Sequence, residues 1–494
     1  MKGRIIVTSI CVLLAAAMGS FLLHTVSKAG GSTLKTIVII GGGITGLATA
    51  YYLEKTLQAE QREAKIVLLE ADAALGGKIR TVQEGEFIME AGADSIVARK
   101  TNVSPLLHEL DLQEAVVYNA TGVSFIYTDG ELKQIPKDAV FGIPLSLESL
   151  ATTELVSAQG KVDALRDLYT PNEAFTKEDS IGAFLQYFLG KELVEKQISP
   201  VLSGVYSGRL EDLTIASTLP YLLDYKNEYG SIIQGLSANK QKFQANGDKK
   251  FLSFQHGVSS LIDRLAERLT VVDVYRGVRA EKVEKRQDGY TVTCSNHTQI
   301  EADFIVLSVL HDAARSLMND ERLDKEFEQL KNSSLISVYL GFDIPDSQLP
   351  KDGTGFIAAE DSGLKCNACT WTSRKWQHTS AQHNLLVRLF YKSVGPHYEM
   401  LQQMTEEQLK QVARKDIQDS MGITATPVSV EVTKWHNSMP NYHLKHPQIV
   451  RSLENQLAER YPNVLLAGAS YYGVGIPDCI ANGEQTARKI AERL

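Results

Sequence analysis

Gly41-Gly42-Gly43-Ile44-Thr45-Gly46 places three glycines at GxGxxG spacing with a fourth between them. Residues without side chains in this pattern let a backbone close around a phosphate pair. Gly41 permits the tight turn, Gly43 lets the chain approach a pyrophosphate, and Gly46 lets a following helix pack close to the preceding strand. Glu70 stands 24 residues past Gly46, where a carboxylate accepts hydrogen bonds from the ribose hydroxyls of an adenosine. The implied chemistry is the binding of a dinucleotide. A second constellation is the CxxC of Cys366 and Cys369, with His378 and His383 downstream. Zinc takes four ligands at characteristic spacings. Here the Cys369-to-His378 spacer is too short for a familiar finger, and Trp371 and Trp376 read as packing residues, so no metal is expected.

The glycines require a strand before them and a helix after. Thr36-Ile37-Val38-Ile39-Ile40 is a short β-branched run of the kind that forms a buried parallel strand. Residues 47–57 carry apolar side chains at helical spacing, and Ile66-Val67-Leu68-Leu69 makes a second strand with Glu70 at its carboxyl end. Strand pattern returns at 269–274, at 277–283 and in Phe304-Ile305-Val306-Leu307, where the chain re-enters the dinucleotide domain. Residues 104–204 read as largely helical. Strands are expected again at Gly355-Phe356-Ile357, at 369–376 and at 385–389. Near the end, Asn463-Val464-Leu465-Leu466 runs into a glycine-dense turn, 468–475, and then a helix over 479–493, whose amides at its start would hold an anion or a ring edge.

A chain of 494 residues with 44% hydrophobic and 22% charged residues is globular and long enough for roughly two to four domains. The net charge of −8 and the lack of a clustered basic run argue against nucleic acid as a partner. Five cysteines, an odd number, do not make a disulfide framework, and a reducing, cytoplasmic compartment is expected. Residues 5–23 form an apolar run preceded by Lys2 and Arg4, close to the ~20 residues that span a bilayer. A tether to the cytoplasmic face of the plasma membrane is the favoured reading. A secretory signal and a translation start placed too far upstream are the alternatives.

After Glu70-Ala71 come Leu75-Gly76-Gly77-Lys78-Ile79-Arg80-Thr81 and Met89-Glu90-Ala91-Gly92-Ala93-Asp94-Ser95. An acid followed by a Gly-Gly-basic turn and a later Gly-x-Asp-Ser loop resembles the flavin-containing amine oxidase and protoporphyrinogen oxidase superfamily. Further runs resemble its porphyrinogen-oxidase branch, most nearly that of Gram-positive bacteria: Asp179-Ser180-Ile181 with Phe184; Ser199-Pro200 with Ser203-Gly204-Val205-Tyr206-Ser207-Gly208; and Gly473-Val474-Gly475-Ile476-Pro477-Asp478-Cys479-Ile480. The resemblance covers roughly residues 35–494 and implies FAD. The cofactor contacts it implies are Gly41, Gly42, Gly43, Ile44, Thr45, Gly46, Glu70, Ala71, Lys78, Gly92, Ala93, Asp94 and Ser95. It adds Val278 at the adenine, Trp435 and Ile476 against the isoalloxazine, Gly468 near the diphosphate, and Gly475 and Pro477 in the final turn. Family members commonly carry a proline where this chain has Leu310.

The implied fold is α/β, more fully an α+β multidomain chain. A Rossmann-type FAD-binding domain would be assembled from 35–90, 250–315 and 435–494. A mixed-sheet substrate domain would comprise 91–110, 205–249 and 316–434, an inserted helical domain 111–204, and an apolar segment with linker 1–34. The implied reaction is the six-electron oxidation of coproporphyrinogen III to coproporphyrin III in haem biosynthesis, in three two-electron steps, with dioxygen reduced to hydrogen peroxide. Porphyrinogen and dioxygen are then the small-molecule partners, with a haem-pathway enzyme downstream. No side-chain pair stands out as a dedicated base, so no catalytic acid–base residue is assigned. Arg99 and Lys100 are the candidate cations for substrate carboxylates. Protoporphyrinogen IX as substrate, an amine oxidase or desaturase on the same scaffold, and a non-catalytic flavin- or porphyrin-binding delivery protein are the competing readings.

Overall fold

The structure, a computed structural model, describes residues 34–494 apart from 121, 206–208, 245–249, 351 and 444. The apolar run 5–23 and the Tyr206-Ser207-Gly208 part of one family motif lie outside the described residues. Among the described residues, no helix is long and apolar enough to cross a membrane.

Thr36–Ile40 is the middle strand of a five-stranded parallel sheet. The order across it is Val272–Tyr275, Lys65–Leu69, Thr36–Ile40, Phe304–Leu307 and Val464–Leu466. Four of its strands are apolar without alternation because both faces are covered, whereas the edge strand Val272–Tyr275 alternates half-buried and exposed residues. One face packs against the helices Ile44–Ala59, Ser259–Arg268 and Ile476–Ala491. The other packs under His311–Met318, Glu321–Phe327, His446–Arg460 and a three-stranded antiparallel meander. The chain leaves the first strand to pair on one side and returns on the other. The switch point, where open α/β sheets bind ligands, therefore falls at the carboxyl end of Thr36–Ile40, at the glycine cluster.

A seven-stranded mixed sheet is the second layer system, in the order Ser429–Asn441, Lys331–Pro345, Asn384–Lys392, Ala368–Trp371, Gly353–Ala358, Val123–Thr128 and Glu131–Gln134. All its pairings are antiparallel except that of Gly353–Ala358 with Val123–Thr128. One face is closed by the helix Glu406–Met421, which buries Leu409, Ala413 and Ile417 against it.

Three local expectations are corrected. Residues 104–204 are not largely helical: Val116–Tyr118, Val123–Thr128 and Glu131–Gln134 are strands. Val123–Thr128 is a β-branched and aromatic run, and Asp129-Gly130, with φ of 54° and 79°, forms the left-handed two-residue turn that closes a hairpin. The helical layer starts at Leu147–Thr152 and continues past 204 through Pro220–Tyr229 and Ile232–Ala238, with one apolar core spanning both stretches. Cys369 to Trp376 is not one strand, because Thr372–Lys375 turns helical after Ala368–Trp371. The last helix begins at Ile476 rather than 479, since Pro477 sits in the first turn, where its missing N–H costs nothing. Leu310, in the place of the expected proline, has φ −60°, the value a proline ring would fix, so the departure leaves the turn unchanged.

Candidate cofactor and substrate site

The glycines differ in what they make room for. Gly41 has φ +106°, and a Cβ there would strike the carbonyl of Ser308, the residue just after the neighbouring strand. A Cβ on Gly46 would strike the Gly41 carbonyl, so this glycine sets the closeness of helix to turn. Gly43 is different. A Cβ built on it meets nothing nearer than the Gly76 carbonyl at 4.0 Å, and it caps the helix with no side-chain hydrogen bond to the first-turn amides. Free amides at a helix start, beside a glycine facing open space, suit an anionic ligand group. The donor set therefore fits the pyrophosphate of a dinucleotide, with Ile44 and Thr45 supplying first-turn backbone.

The Glu70 carboxylate accepts from the Gly42 N–H at 2.7 Å and the Asp72 N–H at 2.8 Å. It is nearly buried and pinned in orientation, and each oxygen keeps a lone pair for a ribose hydroxyl. Ala71 follows it directly. Val278 lies beside this pair, with its N–H donated to the Glu70 carbonyl at 2.9 Å.

The Gly76-Gly77 turn, with φ of +112° and +57°, lies on the first turn: the Gly76 N–H donates to Gly42 at 2.9 Å, and Gly43 bridges Gly76. Lys78 follows with its ammonium in low-dielectric surroundings. Burial pulls its pKa down, and among the described residues no carboxylate pairs with it. The Gly92–Ser95 loop is tied to the same turn by Ala93 N–H to Lys78 carbonyl at 2.9 Å. A Cβ on Gly92 would strike the Lys78 carbonyl and come within 3.4 Å of the Trp435 ring. The Trp435 indole N–H donates to the Ala91 carbonyl at 2.9 Å, which fixes the ring over this loop.

Residues that the sequence reading passed over carry the electrostatics. Arg388, in the strand Asn384–Lys392, is buried, donates to the Gly92 carbonyl at 3.0 Å and the Ala91 carbonyl at 3.3 Å, and lies between the rings of Tyr339 and Phe390. Lys375 reaches Asp94 at 3.6 Å. Burial opposes ionisation of Asp94, yet Lys375, Arg388 and the Ser95 hydroxyl outweigh it and hold its pKa below the ordinary carboxylate value. Glu90 goes the other way. Burial pushes it up to about 7, against the Val258 amide and Thr81 hydroxyl that favour its charged form. The signal for Arg388 was in view: one cation inside the apolar run Leu385-Leu386-Val387-Arg388-Leu389-Phe390.

The last strand and helix close the site. Gly468, φ +94°, donates its N–H to the buried Asn482 Oδ1 at 2.8 Å and lies beside Thr45. Gly483 allows the final helix to touch the first turn of Ile44–Ala59, where a Cβ would be 2.8 Å from the Thr45 carbonyl. Gly475 caps the final helix without a side-chain bond, with Ile476 and Pro477 buried behind it. Lys100 is ion-paired. Its ammonium is paired with Asp478 at 2.5 Å, and the nearby Asn102 amide holds the Pro477 carbonyl at 2.9 Å, so this segment braces the final turn. Arg99 is exposed, with no ion-pair partner among the described residues. Cys366 and Cys369 are buried thiols pushed well above their ordinary pKa by burial, next to Asp416.

A family model described as flavin containing amine oxidoreductase matches residues 44–491. The coproporphyrinogen III oxidase of Bacillus subtilis is 33% identical over 455 residues, 91% of this chain and 96% of that protein. The coproporphyrinogen III oxidase of Staphylococcus aureus is 29% identical, covering 93% of this chain and all of that one. Among solved structures, a protein from Exiguobacterium sp. 255-15, provisionally named a protoporphyrinogen oxidase, superposes with a TM-score of 0.85 at 32% identity over 94% of this chain and 100% of that one.

Proposed function

Taking as premise that the chain belongs to the flavin containing amine oxidoreductase family, we propose that it oxidises coproporphyrinogen III to coproporphyrin III in haem biosynthesis. The observation that carries this is the 33% identity to a coproporphyrinogen III oxidase across 91% of the chain. FAD is the cofactor, and when bound it supplies the hydride acceptance and the return of electrons to dioxygen that side chains do not provide.

The protein's part is placement. The uncapped amides after Gly43 and the glycines Gly41, Gly42 and Gly46 hold the pyrophosphate; Glu70 and Val278 hold the adenosine end. Lys78, Gly92–Ser95, Trp435, Gly468 and the Gly475-Ile476-Pro477 turn frame the isoalloxazine. The seven-stranded sheet is the wall against which the macrocycle lies. The domain division follows from these roles: a discontinuous FAD-binding domain, a sheet domain and a helical layer. Dioxygen is the acceptor, with hydrogen peroxide as by-product, and the product passes to the next haem-pathway enzyme. The reaction takes place in the cytoplasm, with residues 5–23 as a tether to the inner membrane face.

Peroxide release from the purified protein with each porphyrinogen tests the substrate. Turnover of coproporphyrinogen III with kcat/KM at least about tenfold above that for protoporphyrinogen IX is expected. The reverse preference overturns the assignment. Oxidation of a polyamine with neither porphyrinogen turned over would place the chain among amine oxidases instead.

A further inference from the structure

We propose that Lys392 is a substrate-binding residue that holds a carboxylate arm of the tetrapyrrole against the sheet wall. This deepens the reading above and rests on it.

The argument starts from strand register. Leu335 pairs with Lys392 on one side and with Trp435 on the other, so the three occupy one row of an antiparallel sheet and their side chains project to one face. The next rows place Ser337 with Phe390 and Tyr339 with Arg388 on that same face. This is the side on which Trp435 and Arg388 grip the Ala91-Gly92 loop, opposite the face closed by Glu406–Met421. Leu335, Phe390, Lys392 and Trp435 are all only half-buried, although they lie in the interior strands and one neighbour of the sheet. The face is thus accessible along the row that begins at the flavin-side tryptophan. Lys392 is two strands from Trp435, roughly 10 Å across the sheet, beyond a ring stacked on the indole and level with the periphery of a macrocycle extending from it.

The ammonium itself is incompletely matched. It donates to the Ser203 carbonyl at 2.7 Å, a single neutral acceptor for three N–H groups, and among the described residues no carboxylate is within ion-pair range. Burial alone lowers its pKa, with no compensating charge. A cation so placed is costly unless a ligand brings the counter-charge. The simpler role, a brace from the sheet to the helix Ser199–Val205, requires a donor but not a charge.

That difference sets the test. Holoenzyme carrying Lys392→Gln or Lys392→Arg is compared with the unaltered protein on coproporphyrinogen III and on its tetramethyl ester, with FAD content and thermal midpoint as checks of folding. Loss of one charge-assisted hydrogen bond predicts a KM for the acid raised about tenfold or more in Lys392→Gln. The KM for the ester and kcat should stay within about threefold, and Lys392→Arg should restore the acid KM. Acid and ester KM rising together, or neither changing, would overturn the proposal. Should Lys392→Gln lose its flavin, Lys392→Met takes its place: the same acid-specific rise in KM is expected, and an acid-over-ester preference equal to that of the unaltered protein would overturn the proposal. Failure of the unaltered protein to oxidise either porphyrinogen would instead sink the functional reading itself.

Discussion

The Arg388 guanidinium donates to the Gly92 carbonyl across 3.0 Å, joining the middle of one sheet to a loop 296 residues earlier in the chain. The same side chain reaches Ala91 and helps hold Asp94 charged. Arg388→Met should therefore leave two loop carbonyls without their donor and remove a charge that favours ionised, half-buried Asp94, at a cost of about 1–3 kcal/mol in unfolding free energy. Arg388→Lys should recover only part of this, because a single ammonium does not reproduce the planar fork. Urea unfolding of the three holoproteins measures the difference, and equal midpoints would contradict it.

Gly43 and Gly46 should fail in different ways. A methyl group at Gly46 lands on the Gly41 carbonyl, so Gly46→Ala should lower the stability of the apoprotein itself. At Gly43 the methyl group has room in the protein, and Gly43→Ala should leave the apoprotein melting point within about 2 °C while weakening FAD binding about tenfold or more. Differential scanning fluorimetry with and without FAD separates the two.

Glu90 makes stability depend on pH. Its folded pKa is raised by burial to about 7, above the unfolded value, so between roughly pH 4.5 and 7 the folded state binds the extra proton. This group's contribution is then fully present below the unfolded pKa and is lost as pH rises through about 7, a loss of about 3 kcal/mol at one pKa unit per 1.36 kcal/mol. Glu90→Gln should flatten that fall and be the more stable protein at pH 8. Denaturation curves at pH 5, 6, 7 and 8 show the sign directly; a steeper fall in the variant would refute it.

Cys366 and Cys369 should behave as inert core thiols. With both pKa values pushed far up by burial, neither supplies thiolate near pH 8. A thiol-reactive probe should label them only after unfolding, and the purified protein should carry no stoichiometric zinc. Rapid labelling of the folded protein would contradict this placement.

The flavin half of the molecule was legible in the sequence because its signals are local. Thr36–Ile40, Gly41 to Gly46 and Glu70 follow one another within a single βαβ unit, and a β-branched run buried on both faces has few other readings. The substrate side was less legible. Trp435, Leu335 and Lys392 meet only through the register of strands up to 100 residues apart, and the pairing of Lys100 with Asp478 joins residues 378 apart. The Val123–Thr128 hairpin was missed for a different reason: its short β-branched and aromatic run is flanked by longer helical stripes, and the Asp129-Gly130 turn was the sign that outweighed them.

The central claim is that this chain holds FAD in order to take electrons from a porphyrinogen, and anaerobic mixing tests it most directly. Adding coproporphyrinogen III to the oxidised holoprotein without oxygen should bleach the flavin absorbance within the turnover time. Admitting air should restore it, with coproporphyrin fluorescence appearing and three equivalents of peroxide formed per porphyrin. Flavin that stays oxidised while porphyrinogen is bound would contradict the account and leave a flavoprotein that carries tetrapyrrole without oxidising it.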